Sequence, residues 1–382
     1  MHSETRRDLP LESYDGTMAE ITGNGGTMVK RLFNRRWRLT TLTCLVSVAV
    51  VAVVLLFCLR PRPSVEERLR AIDAAHAIPD EENAAHDYSK LIVRQWASSL
   101  IPKPPPEHVR ALTRSVPWRS ADYPEAAKWL ADHREIIDAL LAAGRKPRCW
   151  FSVSQMQRYG GVQPLMPHNW GGLLLQAGNN DLGEGRTEAG REKLLCLLHT
   201  ADHFLVQDQA WCYRLGMDLA ADGLSLYARL VVEEKAPQDW LTKLEAALPL
   251  TRDTWAQKAK QLDELADLYE RGFYRDVLQR LSHTLWAARP SDAIRVPYLE
   301  HLSQCRAVRV LTALRRYRDR TGTWPARLAE VEPYLSPEMV IDPFSGKPFR
   351  YGIKDDTFFL YGVGPNGTDE GGNPPSDLFF WP

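Results

Sequence analysis

The spacing of apolar residues changes three times along this chain. Between Leu39 and Leu59 it is continuous, because no charged residue interrupts the run and Leu45 to Phe57 is almost wholly aliphatic. A helix of about 20 such residues matches the ~30 Å hydrocarbon core of a bilayer. The pattern therefore predicts a single N-terminal transmembrane helix over 39–59, with the lipid bilayer as its partner. The run is longer than the ~7–15-residue apolar region of a signal peptide. Arg60-Pro61-Arg62-Pro63 follows it in place of small residues, and bulky Phe57 before Cys58 does not fit a lipobox. Lys30, Arg31, Arg35, Arg36 and Arg38 lie densely ahead of the run, against Arg60, Arg62, Arg68 and Arg70 behind it. This bias predicts a cytoplasmic N-terminus, with the bulk of the chain on the outer side of the inner membrane. Residues 1–38 read as a disordered basic tail, Gly-rich at Gly23 to Gly26. Met28 is an alternative start to Met1.

From Ser64 to about residue 320 the apolar positions recur every three or four residues, the helical period. Ser64-Val65-Glu66-Glu67 is a capping box ahead of Val65, Leu69 and Ile72. Pro79-Asp80 restarts a helix through Tyr88, Leu91 and Ile92, and Ile101 to Pro106 reads as a stiff connector. Asp122-Tyr123-Pro124-Glu125 opens a helix whose apolar face runs from Ala126 to Leu141 and which closes at Gly144. Residues 150–168 lack periodicity and read as an ordered aromatic loop. Helices follow near 169–178, 185–203, 206–233, 238–247, 251–288 and 293–321. No repeat of fixed period occurs, so 64–292 is expected to be an irregular helical array or bundle.

Past Thr321 the period shifts again. Phe349 to Ile353 and Thr357 to Val363 are rich in β-favouring residues and flank the short polar turn Lys354-Asp355-Asp356, the pattern of an antiparallel hairpin. The expected architecture is mainly α, with a small α+β module over 293–382.

Charge adds an exclusion. Lys+Arg and Asp+Glu are equal at 48 each, so no global field favours nucleic acid, and none is expected as a partner. Six cysteines contain no CxxC pair, which removes zinc ribbons and thioredoxin-like sites. Cys44 and Cys58 fall in the apolar run; the pairing of Cys149, Cys196, Cys212 and Cys305 stays open.

One stretch carries a family likeness. The helix ending Leu314-Arg315-Arg316-Tyr317 is followed by Gly322-Thr323-Trp324-Pro325 and Leu328. Then come Asp342-Pro343-Phe344-Ser345-Gly346-Lys347-Pro348-Phe349-Arg350-Tyr351 and Phe359-Leu360-Tyr361-Gly362-Val363-Gly364-Pro365-Asn366-Gly367. In this order the motifs resemble the periplasmic region of the major pseudopilin of type II secretion systems, over about 70 residues. The resemblance implies a helix packed on a small sheet, with a calcium site in the loop after the last strand of the hairpin. By position Asn366 matches one aspartate ligand of that family and Asp377 a second; Asn for Asp removes one charge. The residues themselves permit this, since Asn366, Asp369, Glu370 and Asp377 place oxygen ligands among Gly367, Gly371 and Gly372. A Gly/Asp cluster that caps its own turns is the alternative. Asn366, Asp369 and Asp377 are the candidate metal ligands. The likeness stops at the N-terminal end: no glycine precedes the apolar run directly, no acidic residue lies in it, and a long helical body intervenes. A filament subunit is therefore not expected.

Motifs for catalysis are missing: there is no HExxH, GxSxG or GxxxxGK[ST]. His199 and His203 lie one turn apart without an identifiable third ligand, and read as a solvated helix face. Asp132 to Glu135, and Glu81, Glu82 and Asp87 near His76 and His86, read the same way. The expected function is a non-enzymatic, membrane-anchored envelope protein that binds other proteins, in an accessory role to secretion- or pilus-type assembly. An exported enzyme with its site in the aromatic loop (Trp150, Tyr159, His168, Trp170) is the alternative, and a calcium-stabilised structural domain is a third.

Overall fold

The capping box at Ser64 forms as expected: Glu67 N–H donates to Ser64 Oγ at 3.2 Å, and Ser64 N–H donates to the Glu67 carboxylate at 2.6 Å. Two donors that a helix start leaves open are thereby satisfied, and the first helix of the body, α1 (Val65–Ala75), follows. The structure is a computed structural model and describes residues 43, 45–53, 63–98, 107–158, 168–232, 237–248, 254–273, 289–373 and 376–381. The chain divides into two units, Met1–Arg62 and Pro63–Pro382.

In the first unit the expected membrane span does not hold. Thr43 and residues 45–53 are helical, and no helix among the described residues is long and apolar enough to cross a membrane. This overturns the single-pass anchor and the inner-membrane placement drawn from the hydropathy of 39–59. The remaining residues of that run, the tail 1–38 and the connector at 101–106 lie outside the described residues.

The second unit is mainly helical. Its second helix, α2 (Ala85–Ser98), begins later than Pro79-Asp80 suggests, because Asn83 sets the start. The Asn83 Oδ1 accepts the Ala85 N–H and the Trp150 N–H, both at 3.0 Å, and Asn83 pairs with Arg148 as an isolated parallel bridge. After α3 (Glu107–Ser115), the single helix expected from Ala126 to Leu141 is two, α4 (Pro124–Asp132) and α5 (Arg134–Gly144). They break at His133, whose ring nitrogen takes up the Trp129 carbonyl at 2.6 Å. Part of the expected aromatic loop is also helical, as α6 (Val153–Arg158).

The centre of the body is α7 (His168–Gly183), α8 (Thr187–Leu205) and α9 (Ala210–Val232). Helices α8 and α9 approach closely at Gly223, where a Cβ would sit 2.8 Å from Leu198; any larger residue would push them apart. One face of α7 is polar yet buried. Gln176 accepts from Thr113 Oγ1 at 2.8 Å, Asn179 donates to the Arg114 carbonyl at 2.8 Å, and Asn180 donates to Ser120 at 3.1 Å. These amides staple the segment 113–120 to α7, as buried polar groups require partners. Outside them pack α10 (Gln238–Ala247) and α11 (Trp255–Phe273).

Long helix α12 (Pro290–Thr321) packs on α9 and leads into the C-terminal module. It ends at Gly322, whose φ of 84° is the left-handed C-cap that glycine adopts without penalty. Three 3₁₀ turns follow over Leu328–Val340. The sheet is β1 (Arg350–Lys354), β2 (Thr357–Gly362) and β3 (Leu378–Trp381), antiparallel in that order. Asp355 and Asp356, with φ of 46° and 62°, form the two-residue hairpin turn. Period-two alternation buries Phe358 and Leu360 and turns Phe359 and Tyr361 to the other face. Phe358 and Leu360 belong to the same apolar core as the helices. Cys149, Cys196, Cys212 and Cys305 are free thiols, all buried.

Candidate functional site

Two places in the body concentrate polar side chains: the loop between β2 and β3, and a cleft beside Trp150. In the loop, the candidate ligands are neighbours in sequence but are committed differently. Asp377 is only 3% exposed. Its Oδ2 accepts three backbone N–H groups, from Glu370 at 3.1 Å, Gly372 at 2.7 Å and Asn373 at 3.2 Å. Its Oδ1 is buried with no hydrogen-bond partner, and so is Glu370 Oε2. Orphaned carboxylate oxygens inside a glycine-rich loop are the donor type that a hard cation takes, with backbone carbonyls completing its shell.

Asp369 does not join them. Its Oδ2 is held by Arg350 at 2.6 Å, and its Oδ1 accepts Tyr361 Oη at 3.0 Å and the Gly371 N–H at 3.1 Å. The hydrogen bond from Arg350 is the main reason its carboxyl lies below the ordinary aspartate range, reinforced by the Gly371 N–H. Asn366 is likewise turned inward to the loop: its Oδ1 accepts the Thr368 N–H at 3.0 Å and its Nδ2 donates to Glu370 Oε1 at 2.7 Å. Among the described residues, no group of three or more His, Cys, Asp or Glu is placed to hold a metal. The side chains that fit are Asp377 and Glu370.

The cleft is built around another aspartate. Asp73 near the end of α1 accepts from Trp150 Nε1 at 3.1 Å, the Val153 N–H at 2.8 Å, Ser152 Oγ at 2.8 Å, the Ser154 N–H at 3.1 Å and Ser154 Oγ at 2.5 Å. It thereby caps α6 from across the fold. Burial pulls its carboxyl upward, but hydrogen bonds from Ser154, Ser152 and Trp150 outweigh this and hold it below the ordinary range. A carboxylate so saturated is a poor base. Next to it, the His76 ring lies flat on Trp150, 3.8 Å between centroids and 7° from parallel. His76 Nδ1 is 2.9 Å from the Ile72 carbonyl; a carbonyl only accepts, so Nδ1 donates. His86, Asp80, Ser89 and Gln155 complete a cavity of about 480 Å³.

Of the residues expected in an aromatic-loop site, only Trp150 lines this cleft. Trp170 is in the core against Tyr88 and Phe204, His168 opens α7, and Tyr159 lies outside the described residues. His203 is buried and not on a solvated face, since its ring bridges Tyr88 Oη and the Lys146 carbonyl, each at 3.0 Å. His199, exposed, instead reaches the Gly144 carbonyl at 3.3 Å. The two imidazoles do not form half a metal site. Sequence reasoning missed Asp73, the organiser of the cleft. Its only sequence signal is Ser152-Val153-Ser154, a helix start that lacks a strong acidic cap of its own.

No protein-family model, no curated protein and no solved structure matches this chain.

Proposed function

We propose that this chain is a non-enzymatic protein-binding protein whose recognition surface is the outer face of the C-terminal sheet. One observation carries the reading. Phe359, Tyr361 and Phe379 form a continuous aromatic ladder there, with ring centroids 5.9 Å and 6.2 Å apart, the second pair stacked within 14°. Phe379 is 39% exposed at its end. Tyr361 is buried at the centre of the ladder, and half-buried Phe359 and exposed Phe379 present its face; aromatic side chains are enriched at interaction sites, and Arg350 and Asp369 beside it supply the polar rim. The resemblance of 314–367 to the pseudopilin module supports a partner belonging to a secretion- or pilus-type assembly. Photo-crosslinking from position 379 in the full-length chain, read by mass spectrometry, tests it. A discrete partner that is absent when the crosslinker sits at exposed Arg134 in α5 is the expected outcome. Recovery of this chain alone from both positions would overturn the reading.

A second reading, calcium stabilisation of the same module, rests on the orphaned oxygens of Asp377 and Glu370. These two residues would hold the ion, which would fix the β2–β3 loop beside the ladder.

A further inference from the structure

The cleft beside Trp150 has a character of its own, and it lies in the helical body. Among the described residues no lysine or arginine lines it, whereas two aspartates, Asp73 and Asp80, do. The basic residues nearest to it are already neutralised. Lys146 reaches the Asp80 carbonyl at 3.3 Å but is ion-paired with Asp87 at 2.8 Å, and Arg148 is paired with Glu82. Asp73 is satisfied by its five donors, so the carboxylate that remains to meet a ligand is the exposed Asp80. The other feature is flat: one face of the exposed His76 ring is covered by Trp150, leaving the opposite face available. His86, Ser89 and Gln155 stand on the remaining walls, and all three are exposed.

An acceptor-rich wall with one free anion and one exposed aromatic face selects a particular ligand. It suits a planar cation that donates several hydrogen bonds in its own plane and stacks through its faces. A guanidinium group has this chemistry, whereas an ammonium ion offers no face to stack and a carboxylate would meet Asp80 as a like charge. The cavity, about 480 Å³, lies within the ~300–1,000 Å³ range of ligand pockets. We propose that this cleft binds the guanidinium head of an arginine side chain, stacked on the free face of His76 and hydrogen-bonded to the Asp80 carboxylate.

Isothermal titration of the full-length protein with the peptide acetyl-Gly-Arg-Gly-amide tests this, with the isosteric neutral peptide acetyl-Gly-citrulline-Gly-amide as the comparison. The arginine peptide is expected to bind at least about tenfold more tightly than the citrulline peptide, one charged hydrogen-bonded contact's worth of affinity. Asp80→Asn, at an exposed turn position, should melt like the wild type and lose about the same factor. His76→Ala should weaken binding while leaving Asp73 and its five donors in place. Free L-arginine binding as well as the peptide would identify the ligand as a small molecule; binding by the peptide alone would identify a protein side chain. Equal affinity for the two peptides, an unchanged affinity in Asp80→Asn, or no heat from the arginine peptide at 10-millimolar concentration (on the order of the weakest specific affinities) would each overturn the proposal.

Discussion

Asp73, half-buried, and Asp377, buried, both organise a turn, but they do so with opposite economy. Asp73 spends every acceptor site it has: five donors converge on its two oxygens, and the segment 150–154 is locked to α1. Asp377 gathers three backbone N–H groups on one oxygen and leaves the other buried without a partner. A buried unsatisfied carboxylate oxygen is costly. The contrast separates a carboxylate that finishes a structure, Asp73 reaching from α1 to the Ser152–Ser154 turn, from one in a glycine-rich loop that still has capacity to bind.

The sharpest way to break this comparison is at Asp73. Asp73→Ala strands Trp150 Nε1 and the N–H groups of Val153 and Ser154, and should cost about 3–4 kcal/mol in urea unfolding. A loss below about 1 kcal/mol would mean that the cap is ornamental. Acid supplies an independent check. Because hydrogen bonds hold the Asp73 carboxyl below the ordinary range, its stabilisation is fully present above pH ~3.9, the unfolded value, and is lost as pH falls through the depressed folded value.

A separate group titrates at higher pH and can be subtracted. His301, 2% exposed in α12 beside Cys305, is pushed down to about 4 by burial. Its folded form is held neutral, so its contribution is present above pH ~6.5 and disappears as pH falls through 4. Up to about 3 kcal/mol should be lost across that window. Stability of the wild type at pH 7 and pH 4.5 against that of His301→Gln measures this; parallel slopes would refute it.

Asp377 should behave differently from both. In chelator, Asp377→Asn keeps an acceptor for the three N–H groups and should cost only about 1 kcal/mol. Millimolar calcium should raise the wild-type melting temperature by about 2–4 °C, and this rise should vanish in Asp377→Asn. A calcium shift that survives the substitution would place the ion elsewhere. The smallest thermodynamic effect belongs to Phe379→Ser, which should leave stability within about 0.5–1 kcal/mol yet abolish any crosslinking partner captured at the ladder.

These differences also mark what the sequence makes legible. Period and caps locate most of the body's helices and the hairpin around Asp355-Asp356, because a capping box, a C-terminal glycine and period-two alternation act within a few residues. The acidic Gly-rich stretch from Asn366 to Asp377 is equally visible as a candidate ligand loop. What is invisible is the commitment of each oxygen. Asp369, in the β2–β3 loop, is claimed by Arg350 of β1, and Asp73 is claimed by residues some 80 positions away; neither distance leaves a local trace. The apolar run at 39–59 is the other disagreement: hydropathy alone suggests a span there, whereas no helix among the described residues is long and apolar enough to cross a membrane.

The four thiols of the body have a practical consequence. Burial raises Cys196 and Cys305 to about 12 and Cys149 and Cys212 at least as strongly, so in the native state they offer neither thiolate nor access to an alkylating reagent. Each sits in a different element: Cys149 in the turn before α6, Cys196 in α8, Cys212 in α9 and Cys305 in α12. Mass-resolved alkylation over time would therefore act as four internal clocks, each reporting how often its own part of the body opens. Equal rates at all four would show that Pro63–Pro382 opens as one cooperative unit, and an early Cys149 would identify the Asp73 turn as the first latch to release.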